Sequence, residues 1–271
     1  MILFPPCKIN IGLHVLHKRN DGFHELDSLM YPVSICDILE VIKSDTFEFI
    51  NSGITIPGEG QMNICIKAFH LMQKEYGISP IKIHLHKVIP MGGGLGGGSS
   101  DGTYTLRAIN DLFNLNLSVE RLQRLAALLG SDCPFFVKAL PQVATGRGEV
   151  LRAVDFSLLG MYLYMVNMGI HVSTAQAFSN VTFYKKQETI LELIKNPFDQ
   201  IKDELLNSFE ASVFDSYPDL ERIKNIFSEN GAIYSAMSGS GSTMYGIFKN
   251  RPEKGMFYAY ELVFEEILVL S

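Results

Sequence analysis

Along residues 7–17 apolar and polar side chains alternate. Ile9, Ile11, Leu13 and Val15 share one face of an extended chain, and Lys8, Asn10, Gly12 and His14 share the other. Period-two alternation of this length predicts a half-buried strand. On pattern alone, a lysine such as Lys8 belongs to a solvated edge, as most lysines do. The alternation recurs over residues 37–43, 46–50 and 81–87, and residues 161–166 form a more continuous apolar run of strand length. Asn20-Asp-Gly22 is a hairpin-type turn signal, with Phe23 and His24 directly after it. Residues 51–53 and 57–60 read as loops, 142–151 as a hairpin about a glycine turn, and 232–237 and 243–248 as two further strands.

Helical spacing marks other segments. Ile64, Ala68, Leu71 and Met72 form an apolar stripe, with Asn63 as its cap and Gly77 as its stop. Leu106, Ile109, Leu112 and Phe113 form a second, with Ser99 or Ser100 placed to cap it. Leu122, Leu125, Ala126 and Leu129 form a third, between Ser118 and Gly130. Pro134 holds Cys133 out of the helical region, so Asp132 falls on a constrained loop, where an aspartate is ordinarily a turn former. The pattern resets around residues 155–160. Beyond it come a short helix carrying Phe178, helical stretches over 188–195, 200–210 and 219–227, and a terminal helix and strand. Helices and strands mixed in this way predict an α+β fold.

Between the strand over 81–87 and the helix containing Leu106 lies Pro90-Met-Gly-Gly-Gly-Leu-Gly-Gly-Gly-Ser-Ser-Asp101. Six of the seven residues from Gly92 to Gly98 are glycine, so ordering this run costs much backbone entropy. A strand, a glycine loop and a helix start together make an anion cradle, in which backbone N–H groups and the helix dipole attract phosphate. The run has no Gly-Lys-[Ser/Thr] ending and no acidic ribose ligand about 20 residues on, which excludes a P-loop and a dinucleotide fingerprint. Without a basic side chain in the cradle, the helix N-terminus and a magnesium ion could balance a triphosphate. Asp101, in the first turn of the helix, favours a metal-bound nucleotide. Ser238-Gly-Ser-Gly-Ser242 is a second, shorter glycine loop, which local sequence leaves open between a binding loop and a plain hairpin turn.

Composition narrows the picture. A chain of 271 residues with 47% hydrophobic and 19% charged residues suits a folded enzyme of one or two domains. A net charge of −6 disfavours nucleic acid and anionic membrane as partners. No apolar run reaches membrane-spanning length, and the first eight residues lack the pattern of a signal peptide, so a cytoplasmic protein is expected. The four cysteines are widely spaced, as reduced thiols would be. His84 and His86 share a strand face, but no third ligand at a metal-like spacing accompanies them.

Taken together, Lys8-Ile-Asn10-Ile-Gly-Leu, Asp21-Gly-Phe-His24, the glycine run, Gly130-Ser-Asp132-Cys-Pro-Phe-Phe136, Gly146-Arg-Gly-Glu149 and Ser238-Gly-Ser-Gly241 resemble the GHMP kinases in motif and order across the whole chain. That resemblance implies ATP-dependent, magnesium-dependent phosphorylation of a small-molecule hydroxyl. It also implies a two-domain fold: an N-terminal nucleotide-binding domain over 1–155, like domain 2 of ribosomal protein S5, and a ferredoxin-like C-terminal domain over 156–271 that completes the substrate site. Asp132 then matches the catalytic base and Lys8 the lysine beside it. ATP would be held by Pro90, Met91, Gly92, Gly93, Gly94, Leu95, Gly96, Gly97, Gly98, Ser99 and Ser100, with Asn63 and Lys87 near the adenine. The set is most similar to the branch whose acceptor carries a cytidine diphosphate group. On it Asn10, Phe23, His24, Thr174 and Phe178 bind substrate, and Gly239, Ser240 and Gly241 form a second loop. Phe23 stands where tyrosine is common, and Asp101 where asparagine is common. The resemblance implies a monomer or weak homodimer. Other GHMP kinases and a catalytically inactive nucleotide-binding regulator are the competing readings, and the presence of both Lys8 and Asp132 speaks against the regulator.

Overall fold

The computed structural model describes residues 1–56, 63–185 and 188–270; the loop expected over 57–60 lies outside them. In chain order the strands and helices begin β1 (Ile2–Leu3), β2 (Pro6–Lys18), β3 (His24–Cys36), β4 (Ile38–Lys43), β5 (Glu48–Gly53), α1 (Ile64–Tyr76), β6 (Ile81–Lys87), α2 (Gly97–Leu112) and α3 (Val119–Ala127). They continue with β7 (Gln142–Gly146), β8 (Val150–Ala153), β9 (Tyr162–Asn167) and α4 (Thr174–Ser179). Helices α5 (Ile190–Leu193), α6 (Phe198–Ile201), α7 (Glu210–Ser216) and α8 (Pro218–Glu229) follow, then strands β10 (Tyr234–Met237), β11 (Met244–Phe248) and β12 (Phe264–Val269).

The chain forms two compact units. The first comprises Met1–Lys8, Pro32–Met91 and Gly96–Leu140; the second comprises Ile9–Tyr31, Gly92–Leu95 and Pro141–Ser271. In the first, a sheet of order β1-β4-β6-β5 packs against α1, α2 and α3. Val41 pairs with Ile83 across β4 and β6, and together with Leu39, Ile81 and Leu85 they meet Phe69, Met72, Leu106, Ile109 and Leu125. Each such side chain contributes about 1.5–3 kcal/mol by leaving water. Asn63 caps α1 by accepting the Cys65 N–H at 2.8 Å, and Gly77 ends it in the left-handed region. Ser118 caps α3 through the Arg121 N–H.

Four sequence expectations change in this unit. Residues 51–53 continue β5, which pairs in parallel with β6 up to Gly53↔Lys87. The reason lies on the neighbouring strand: Ser52 Oγ is 2.9 Å from both His84 Nε2 and His86 Nδ1, so the two histidines are tied to β5. Among the described residues no group of three His, Cys, Asp or Glu side chains could hold a metal. Helix α2 begins earlier than a serine cap allows. Its N-cap is Gly96 at φ +69°, without a side-chain cap, and Ser99 and Ser100 lie inside the first turn. Residues Cys133–Val137 form a 3-10 helix that includes Cys133, because Pro134 in a first turn forfeits no hydrogen bond. Lys8 is buried at 3% exposure, since both faces of β2 are covered.

The second unit holds two sheets, of order β2-β3-β7-β8 and β10-β11-β9-β12. The latter is antiparallel throughout and carries Tyr164, Val166, Met237, Met244 and Phe248 against Leu220, Ile223 and Phe227 of α8. The helix expected over 200–210 is broken. Leu13 N–H donates to the Leu206 carbonyl and Ser208 N–H to the Leu13 carbonyl, both at 2.8 Å, so residues 206–208 run as an edge of β2. Asn207 holds that course by donating to the Met237 and Gly239 carbonyls. The segment before β12 is a run of turns, not a helix. All four cysteines are free; Cys7, Cys65 and Cys133 are buried and Cys36 is half-buried. No described helix is long and apolar enough to cross a membrane.

Candidate active site

Lys8 and Asp132 come together in the first unit. The Lys8 ammonium lies 3.6 Å from the Asp132 carboxylate, whose side chain is 35% exposed. Asp132 stands at the start of the 3-10 helix, and that helix is tied to α2 by Thr103, whose hydroxyl donates to the Cys133 carbonyl at 2.8 Å. The Lys8 stem is held under the loop: a Cβ at Gly96 would meet Phe136 at 2.9 Å and Lys8 Cε at 3.2 Å. Gly96 therefore serves both its left-handed conformation and this close approach. The result is an acid open to solvent on one side and paired with a buried cation on the other.

The helix start beside it fits an anion. Ser100 N–H donates to the Gly96 carbonyl at 2.9 Å, and the N–H groups of Gly97, Gly98 and Ser99, as the first of the helix, have no carbonyl four residues back within it. A Cβ at Gly98 would meet nothing within 4 Å, which leaves bare backbone beside open space. By contrast, a Cβ at Gly94 would overlap the Ser238 carbonyl oxygen, and one at Gly97 would press on Ile89 and Lys87. In the second unit the two glycine loops pack together. Ser238 Oγ donates to the Gly94 carbonyl at 2.9 Å, and Thr243 N–H donates to the Gly93 carbonyl at 3.2 Å. The second loop is thus more than a plain hairpin turn: Gly239, Ser240 and Gly241 belong to a segment that fixes the first loop. A Cβ at Gly92 would touch His171 at 2.8 Å. Pro90 is buried; Met91, just before the run, is exposed, and Leu95, within it, is buried.

The residues expected to bind a base gather in the second unit. His24 and Phe178 stack at 4.6 Å with 17° between their planes, so no third ring fits between them unless one turns. Phe209 supports Phe178 edge-on at 4.8 Å. Phe23 is 52% exposed and carries the Arg147 guanidinium over one face at 4.7 Å. Thr174 opens α4, with its hydroxyl 3.3 Å from Ser240 Oγ. Asn10 is buried; its amide donates to Ser28 Oγ at 2.8 Å, and Ser28 in turn donates to the Gly12 carbonyl. Burial, reinforced by Lys18, lowers the His24 pKa below its ordinary value, so the imidazole is neutral at pH 7.

Two expected nucleotide residues are engaged elsewhere. The Asn63 side-chain oxygen caps α1 by accepting the Cys65 N–H. Lys87 is 2% exposed, with its ammonium between the Asp37 and Asp101 carboxylates. Asp101, in the first turn of the helix as read from sequence, is equally buried and faces Lys87. Sequence reasoning missed Asp37, and the signal was present: Lys87 shares the core-facing register of Ile81, Ile83 and Leu85, and a lysine there requires a buried acid. Arg147 over Phe23 left no comparable trace.

Comparison with known proteins now decides the family. Residues 63–139 match the GHMP kinases N terminal domain, and residues 189–255 match the GHMP kinases C terminal domain. The 4-diphosphocytidyl-2-C-methyl-D-erythritol kinase of Azobacteroides pseudotrichonymphae is 42% identical over 250 residues, covering 92% of this chain and 94% of that protein. The kinase of the same name from Bacteroides fragilis is 43% identical over 252 residues, 92% of each. This chain belongs to the GHMP kinases, among their 4-diphosphocytidyl-2-C-methyl-D-erythritol kinases. A crystal structure of 4-(cytidine 5'-diphospho)-2C-methyl-D-erythritol kinase superposes on it with a TM-score of 0.80 at 27% identity, covering 99% of both chains. Like other GHMP kinases it has the α+β architecture expected from its sequence, and it is a small-molecule kinase that uses ATP.

Proposed function

We propose that the protein transfers the γ-phosphoryl group of ATP to the 2-hydroxyl of 4-diphosphocytidyl-2-C-methyl-D-erythritol, a step of the non-mevalonate route to isoprenoid precursors. The observation that carries the reading is the open Asp132 carboxylate paired with buried Lys8, beside a helix start that has no side-chain cap. In this reading Asp132 accepts the proton of the acceptor hydroxyl, while Lys8 stabilises negative charge that develops nearby. The N–H groups of Gly97, Gly98 and Ser99 take phosphate oxygens, with the rest of the run from Pro90 to Ser100 giving the loop its shape. Transfer to an alcohol passes through a loose transition state, so positioning and charge stabilisation outweigh base strength.

Phe23, His24, Thr174 and Phe178 hold the cytosine end of the acceptor, and Asn10 orients its polyol. Magnesium, when bound, would offset phosphate charge; the donors present fit an ion held mainly by phosphate oxygens, with Asp132 as the open carboxylate and Asp101 excluded by its burial. Residues 1–155 serve the nucleotide and 156–271 complete the acceptor site. A cytoplasmic monomer or weak homodimer completes the proposal. The test is a kinase assay that offers cytidine-bearing and cytidine-free polyols in parallel with ATP. Phosphorylation of the cytidine-bearing acceptor alone is expected, and equal use of both would overturn the acceptor assignment.

A further inference from the structure

One side-chain cluster of the first unit has no part in the chemistry above. Lys87, Asp37 and Asp101 are each 2% exposed or less, and all three are charged types. Lys87 ends β6 in the core register, and its ammonium pairs with Asp37 and, at 3.0 Å, with Asp101 Oδ2. Asp37 immediately precedes β4. Its second oxygen, Oδ1, accepts the N–H of Val88 at 2.6 Å and of Ile89 at 2.8 Å. Those are the residues through which the chain leaves β6 for the glycine run. Asp101 lies at the other end of the run, within α2. Lys87 Nζ is also what a Cβ at Gly97 would touch, at 2.9 Å. One ammonium therefore pins both ends of the glycine run from beneath.

The charge balance supports the same conclusion. Two carboxylates against one ammonium would leave a net negative charge under the helix start, where it would oppose phosphate. Burial, partly offset by Lys87, raises the Asp101 pKa well above the ordinary carboxylate range, which lessens that opposition. A buried cluster of this kind makes weak sense as a stabiliser alone, since desolvation offsets much of the attraction. It makes better sense as a fixed reference for backbone that must not move.

We infer that Lys87, Asp37 and Asp101 are positioning residues for the phosphoryl donor: they fix the two ends of the glycine run, and so its phosphate-binding N–H groups, without touching the nucleotide. The inference rests on the reading of that run as the ATP loop. It differs from a contact between Lys87 and adenine, because it concerns the phosphates.

Calorimetric titration of the full-length chain tests it, using a non-hydrolysable ATP analogue and, separately, inorganic tripolyphosphate, with melting temperature recorded for every variant. Lys87→Met should weaken both ligands by about tenfold or more, with the acceptor KM little changed, since small displacements of binding groups have effects of this size. Asp37→Asn keeps an acceptor for both N–H groups and loses the charge; it serves if Lys87→Met does not fold, and should weaken both ligands in parallel. Asp101→Asn, which keeps the side-chain shape at the carboxylate that holds neither the Val88 nor the Ile89 N–H, should lose least. Folded variants that bind both ligands as the wild type does would overturn the inference alone. A loss confined to the analogue, with tripolyphosphate unaffected, would return Lys87 to the base and overturn it too. A wild type that binds neither ligand would overturn the ATP-loop reading and this inference with it.

Discussion

Two lysines of the same compact unit each meet an aspartate, and the two meetings differ in what the acid remains free to do. Lys8 is buried, but Asp132 keeps about a third of its side chain in solvent at a separation of 3.6 Å. Lys87 is buried and so are both of its partners, with one Asp37 oxygen already committed to two backbone N–H groups. The carboxylate of the first pair is open to a bound molecule. The second can only hold protein in place. Chemistry and scaffold are thus separated by the exposure of the carboxylate, since residue type and ion pairing are the same in both.

The comparison breaks first at the open pair. Asp132→Asn should lower kcat by about 10²–10⁴, the range of a general base, with little change in melting temperature and with nucleotide still bound. Turnover close to wild type would remove Asp132 from the chemistry. At the sealed pair the balance reverses: Lys87→Met strands two buried carboxylates, and breaking a buried pair costs about 3–5 kcal/mol of stability. Thermal denaturation reads that loss directly, and an unchanged melting temperature would show the cluster to be dispensable to the fold.

The glycine run sharpens the distinction at smaller scale. Gly98 faces open space, whereas Gly94 is hemmed in by the Ser238 carbonyl. Gly98→Val should weaken nucleotide binding with the melting temperature nearly unchanged; Gly94→Val should destabilise the fold as well. Equal melting temperatures for the two would contradict the packing of one glycine loop on the other. The smallest effect concerns His24. Its lowered pKa means that the folded state resists the proton the unfolded chain takes up at about pH 6.5. Above that value the group has no effect on stability, and below it stability falls as pH falls. The acceptor KM should rise over the same acid range and stay flat above it, and His24→Gln should abolish that rise.

Much of this was legible before any coordinates. Alternation over 81–87, the caps Asn63, Gly77 and Ser118, and the hairpin at 20–22 depend on neighbours in sequence, and they stand as read. The failures share a cause. Residues 51–53 look like a turn, yet extend a strand because Ser52 serves two histidines more than thirty residues away. Residues 200–210 look helical, yet Asn207 is drawn to the carbonyls of Met237 and Gly239. Ser99 and Ser100 look like caps, yet the helix starts before them at Gly97, after Gly96 turns left-handed against Lys8 and Phe136. In the candidate site, the charged residues were found by motif, whereas Asp37 was not, because its partner is 50 positions away. Its trace was the register of Lys87, visible only when a lysine is counted among core positions.

The distribution of the cysteines has a practical consequence. Burial holds Cys133 up at about 11 and drives Cys7 and Cys65 higher still, so none of the three offers a thiolate to a reagent at neutral pH. Cys36 is the half-buried one, its thiol also pushed up, by burial and then by Asp37, and it adjoins Asp37 in the chain. A slow alkylating fluorophore therefore has one place to attach on the folded molecule, and that place is next to the anchor beneath the glycine run.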